Sequence, residues 1–145
     1  MSHIRVETEL PASPDVVWAD VRHIPSHVEW MHDAVDITFT GDQTEGTGTT
    51  FDCLTKVGPL KLIDRMLITS WVEAAEMGVR HDGLVTGEGV FTLSAVGPDR
   101  TAFVWEEKLR FPWWMGGPIG GFVGAIILKQ IWKRNLGLLR RRFER

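Results

Sequence analysis

Three ionisable residues, Asp64, His81 and Glu107, fall where the surrounding pattern is apolar. Successive side chains of a strand point to opposite faces, so every second residue shares a face. Glu107 thereby sits with Phe103, Trp105, Leu109 and Phe111, and Asp64 with Leu60, Leu62, Met66 and Ile68. His81 joins Met77 and Val79; Phe51 joins Cys53 and Thr55; Phe91 joins Leu93. Together these faces predict an apolar chamber with three polar intruders. A carboxyl group in such surroundings has its pKa raised by desolvation and can act as a general acid or base, with an imidazole as proton partner. Glu107, Asp64 and His81 are therefore the candidate catalytic residues. A competing account pairs the carboxylates with Arg65 or Arg110, or slips the register by one residue and turns them outward. Ligand contact without chemistry is the reading placed ahead of catalysis.

Other chemistry is weakly supported. His23, His27 and His32 are spaced by four and five residues, with Asp33 adjacent, which invites a metal test. Pro25 interrupts regular helix between the first two, and no second cluster completes a tetrahedral set. Surface histidines beside a buried Trp30 are expected instead, with no metal and no cofactor. The glycine-rich stretch Gly41–Gly48 lacks the Gly-Lys-Ser/Thr ending of a phosphate loop and leads into a strand, so it reads as a flexible connection. The single Cys53 can form neither an internal disulfide nor a cysteine zinc site, and the first residues form no basic-then-apolar signal segment. Both point to the cytoplasm.

The elements that must hold these residues follow from periodicity. Between Pro118 and Arg145, Ile119, Phe122, Val123, Ile126, Ile127, Ile131, Leu138, Leu139 and Phe143 recur mostly at steps of three and four, the mark of an amphipathic helix. About 25 residues would span roughly 37 Å. Such a helix needs a large apolar partner, and the rest of the chain reads as strands. Ile4–Leu10 alternates; Ser13-Pro14-Asp15 caps a short helix carrying Val16, Val17, Trp18 and Val21; a second helical piece covers about Ser26 to Met31. Six further strands follow, separated by Gly41–Gly48, Gly58-Pro59, Glu73–Glu76, Asp82-Gly83 and Gly97-Pro98-Asp99. The predicted class is α+β: one domain over residues 1–145, a curved seven-stranded antiparallel sheet gripping the C-terminal helix, with two short helices after the first strand. A gap between a curled sheet and a single cylinder is the expected place for an apolar ligand.

In this order the chain resembles the START-like, helix-grip superfamily, in particular its polyketide cyclase/dehydrase and lipid-transport group. The resemblance rests on Pro11-Ala12-Ser13-Pro14-Asp15-Val16-Val17-Trp18 after the opening strand, Trp30 after a short second helix, Glu45-Gly46-Thr47-Gly48-Thr49 between strands, and Thr101 to Trp105 leading into the last helix. It covers nearly the whole chain. It implies a cavity for lipids, hormones or polyketides, bordered by the glycine-rich loop, and in some members a cofactor-independent cyclase or dehydratase. Fold alone does not decide between these.

The residues expected to contact a ligand are Phe51, Cys53, Leu62, Met66, Phe91, Trp105, Phe122 and Ile126, with Trp30 and Trp114 near the mouth. From Phe111 through Leu128 there is no charged residue, but Pro112, Pro118 and five glycines argue against a membrane span. Residues 111–118, with Trp113 and Trp114, are expected to form a lid, a transient membrane contact or a plain hydrophobic connection. Residues 129–145 hold seven Lys/Arg against Glu144. This basic end is read as complementing the helix dipole rather than as a nucleic-acid surface. The expected partner is a hydrophobic small molecule, not nucleic acid, and a homodimer is left open.

Overall fold

The computed structural model describes residues 1–144. Their strands are β1 (Ser2–Leu10), β2 (Ala34–Phe39), β3 (Thr50–Val57), β4 (Leu60–Val72), β5 (Glu76–Asp82), β6 (Thr86–Gly97) and β7 (Arg100–Arg110). They form one sheet in the order β1-β7-β6-β5-β4-β3-β2, with antiparallel pairing at every step. From β2 to β7 it is a meander; β1 returns to lie beside β7, at the edge opposite β2. The detour between β1 and β2 consists of helix α1 (Pro14–Val21) and a 3-10 helix over Ile24–Glu29.

Local chemistry explains these boundaries. Pro14 opens α1, and the Ser13 side chain accepts a hydrogen bond from the Val16 amide, as an N-cap should. Val17, Trp18 and Val21 are the buried face of that helix. In the strands burial alternates: Ile4 and Val6 are inside while Arg5 and Glu7 face out, and Phe103, Trp105, Glu107 and Leu109 are inside on β7. The alternation predicted from the sequence is therefore in register along β7, and Asp64 and His81 are buried with it.

Helix α2 (Gly117–Arg141) is 25 residues long. Its C-terminal half carries the buried side chains, Trp132, Asn135, Leu136 and Leu139. Asn135 accepts from the His32 amide at 3.1 Å and donates to Asp33 at 2.7 Å, while Trp132 Nε1 donates to the other Asp33 oxygen at 3.1 Å. Beyond the helix, Arg142 makes a two-pronged contact with Asp20 at 2.8 and 2.7 Å. So Arg142 docks the chain end onto α1, more than the dipole account expected. Arg145 lies outside the described residues.

The N-terminal half of α2 runs beside β1, where Ser2 Oγ donates to the Gly121 carbonyl at 3.1 Å. Its most apolar face turns away from the sheet. Ile119 is 78% exposed and Phe122 68%, and Val123 and Ile126 are exposed as well. The same outward face becomes basic further along, at Lys133, Arg134, Arg140 and Arg141. Among the described residues no helix is long and apolar enough to cross a membrane.

Candidate functional site

Between the sheet and α2 lies a cavity of about 310 Å³. Phe51, Leu62, Met66, Phe91 and Trp105 contribute sheet-side wall, and Leu128 and Trp132 contribute helix-side wall. Phe111, Met115, Gly124 and Ile127 also line it; Ile127 is partly open to solvent, which puts it at the mouth. Cys53, Asp64, His81 and Glu107 share the wall.

The three ionisable residues meet one another instead of Arg65 or Arg110. His81 Nδ1 lies 2.9 and 3.1 Å from the two Asp64 oxygens, and its Nε2 bonds to Glu107 Oε1. The second Glu107 oxygen accepts from Trp105 Nε1 at 3.1 Å. Arg65 is occupied with Asp52 at 3.3 Å on the outer face. Burial disfavours a charged imidazole at His81, but Glu107 and Asp64 outweigh that penalty and raise its pKa to about 10. At neutral pH the imidazole thus keeps its proton, held between Asp64 and Glu107.

This bridge depends on an absent side chain. His81 is on β5 and Glu107 on β7, with β6 between them; at about 4.8 Å per strand spacing, their backbones are roughly 10 Å apart. The β6 residues that pair with these two are Gly87, opposite His81, and Gly89, opposite Glu107. A β-carbon at Gly89 would sit 2.4 Å from Glu107 Oε1. Glycine inside a strand marks a close approach of this kind, and Gly89 is a signal of it in the sequence; a β-carbon at Gly87 would instead stand 2.0 Å from the Lys108 carbonyl oxygen.

Other groups on the wall were not anticipated. His27 is buried rather than at the surface, because its Nε2 donates to the Val21 carbonyl at 2.7 Å. Burial, partly offset by that bond, lowers its pKa to about 4 and keeps the ring neutral. His23 and His32 are exposed, and no group of three or more His, Cys, Asp or Glu side chains is arranged to hold a metal ion among the described residues. Asp33 reaches the cavity between its two α2 donors. Trp132, four residues after Leu128 and four before Leu136, could have been found as part of a second helical stripe.

Of the residues expected to contact a ligand, Phe51, Cys53, Leu62, Met66, Phe91 and Trp105 are on the wall. Four are elsewhere. Phe122 and Ile126 point outward, because the glycine- and leucine-bearing side of α2, with Gly124 and Leu128, faces the sheet. Trp30 is 1% exposed and lies behind the wall, packed edge-on to Trp105 with ring centres 6.1 Å apart. Trp114 is half exposed, and its neighbour Met115 takes the place at the mouth. The loop expected to border the cavity does not reach it: none of residues 41–48 is on the wall. Gln43 instead ties the loop to itself, donating to the Glu45 and Thr47 carbonyls at 2.7 and 2.8 Å.

Comparison with known proteins fits this architecture. A START superfamily protein from Mycobacterium smegmatis superimposes with a TM-score of 0.76 at 13% identity, over 98% of this chain and 97% of that one. The Zhui aromatase/cyclase from Streptomyces sp. R1128 gives 0.81 at 14% identity, over 99% and 94%. A conserved protein from Geobacillus kaustophilus gives 0.78 at 14%, over 98% and 95%. At these identities the likeness is one of fold. No curated protein matches the chain by sequence. The family described as polyketide cyclase/dehydrase and lipid transport matches residues 1–144, and the chain belongs to that family.

Proposed function

We propose that this protein binds an apolar or aromatic small molecule in the cavity between the sheet and α2. The observation that carries the reading is the cavity itself, about 310 Å³ with a predominantly aliphatic and aromatic wall. That is at the lower end of the range of small-molecule sites. Family membership supports a hydrophobic ligand in general terms. Native mass spectrometry of protein purified from its own host should show a small molecule retained with the chain. A bare mass, together with no uptake of any apolar fluorescent probe, would remove the reading.

A second reading is favoured by the Asp64–His81–Glu107 array: a cofactor-independent cyclase or dehydratase. Both imidazole nitrogens are engaged by carboxylates, so a ligand proton would be exchanged at Glu107 or Asp64, with His81 as the store behind them. Cyclisation and dehydration need a shaped pocket and one or two such groups. Glu107→Gln, Asp64→Asn and His81→Ala should each reduce turnover of a cyclisable substrate by about 10²-fold or more; unchanged turnover in all three dismisses these assignments.

A further inference from the structure

We propose that the ligand carries a protonated amine on its apolar or aromatic body, and that carboxylate and phosphate ligands are rejected. The inference rests on the binding reading above and adds the polar chemistry of the occupant. Three carboxylates, Asp33, Asp64 and Glu107, are on the cavity wall, and among the described residues no lysine or arginine is. One imidazolium, His81, stands against them.

Hydrogen-bond capacity points the same way. The strong donors on the wall are occupied. His81 gives its two N–H groups to Asp64 and Glu107, Trp105 gives its N–H to Glu107, and Trp132 gives its N–H to Asp33. Thr55 turns its hydroxyl to the Cys53 carbonyl at 3.5 Å. Acceptors remain. An ionised carboxylate offers about four lone-pair sites, more than the protein donors fill at Asp33 or Glu107. His27 is a separate case: 6% exposed and on the wall, it commits Nε2–H to Val21. Its Nδ1 is then a bare acceptor, with no hydrogen-bond partner among the described residues. A ligand N–H would give it a partner. The field is felt by the wall as well: burial first, and then Asp64 and Asp33, push the Cys53 thiol up to about 12.

An anionic head group would enter a site with more negative than positive charge and no free strong donor to meet it. An ammonium meets the reverse conditions.

The test uses the full chain and displacement of a neutral fluorescent probe, N-phenylnaphthylamine, by three compounds with a common ring: naphthylethylamine, naphthylethanol and naphthylacetate. The amine should displace the probe at a concentration at least tenfold below the alcohol, and the acetate should be weaker than both. Asp33→Asn and Asp64→Asn should each narrow the amine-over-alcohol ratio at least threefold, with near-ultraviolet circular dichroism confirming the fold. The wild-type series stands alone if a variant fails to fold. An acetate that matches the amine, an amine no better than the alcohol, or a bound probe that no compound displaces overturns the charge inference and leaves the cavity reading intact. A probe that does not bind at all removes both.

Discussion

The indole rings of Trp105 and Trp132 stack with centroids 4.4 Å apart and planes within 16°, and each sends its N–H to a different carboxylate. Trp105 donates to Glu107 and Trp132 to Asp33. One contact therefore joins β7 to α2 and couples the position of the helix to the polar groups of the cavity. Trp132→Ala should destabilise the fold by about 3–5 kcal/mol, the usual cost of removing a buried tryptophan. Trp132→Phe keeps the ring contact and leaves one Asp33 oxygen without its donor, for a smaller loss of about 1–3 kcal/mol. Urea unfolding curves of the two variants check the order.

Gly89→Ala should separate Glu107 from His81, since the added carbon would stand 2.4 Å from the carboxylate oxygen. Freed of that partner, His81 should titrate well below its native value of about 10. Imidazole resonances followed by NMR across pH report this directly, and an unchanged titration would mean that Glu107 finds another path to the ring.

The two buried histidines should bend the pH dependence of stability in opposite directions. His81 has a folded pKa of about 10 against 6.5 unperturbed. Its contribution is complete below pH 6.5 and is lost as pH rises towards 10, because there the folded state holds a proton that the unfolded chain has released. His27 has a folded pKa of about 4 against 6.5. Between pH 6.5 and 4 the unfolded chain takes up a proton that the folded state refuses, so stability falls as pH falls. Each limb has a slope of at most about 1.4 kcal/mol per pH unit. From these two groups a maximum near pH 6.5 is expected, and His81→Gln should flatten the alkaline limb, His27→Gln the acid one.

Cys53 should react slowly. With its thiol pushed up to about 12 and the side chain buried, the thiolate fraction at pH 8 is roughly a thousandfold below that of a free cysteine. Ellman's reagent should label the native protein only on a timescale of local opening. Rapid labelling would mean that the cavity mouth opens widely.

Trp113→Ala/Trp114→Ala should leave stability within about 0.5 kcal/mol, because both rings are substantially exposed and surface substitutions rarely cost more. If these rings and the outward face of α2 meet a bilayer while ligand is exchanged, wild type should float with liposomes and the double variant should not. Failure of the wild type to float ends that proposal.

The succession of strands along the chain, the long helix and the inward face of β7 were legible because alternation and helical period are local properties of the chain; the pairing of β1 with β7 is not local and was not legible. The faces carrying Asp64, His81 and Glu107 could be assigned in the same way, though not their mutual bonding, which needs β6 to be bare at Gly89. The helix misled. Its strongest apolar stripe, Ile119, Phe122, Val123 and Ile126, lies outside, and a mixed stripe with Gly124, Leu128, Trp132 and Leu136 faces the sheet. Hydrophobic count ranks faces by transfer energy, whereas docking here follows shape and the fixed hydrogen bonds at Asn135 and Asp33. His27 and Asp33 were hidden for a related reason: each is kept inside by one or two specific partners distant in sequence or outside any regular repeat.

The charged trio is guarded by one residue, Gly89, that contributes no side-chain atoms to it. Because His81 spans to Glu107 over vacant ground, almost any residue gained at position 89 would cut the connection while every charged residue stayed in place. A relative could thus keep all three ionisable groups and still lack the joined centre, so it is this gap, more than the acids and the base, by which chains sharing this site can be told apart.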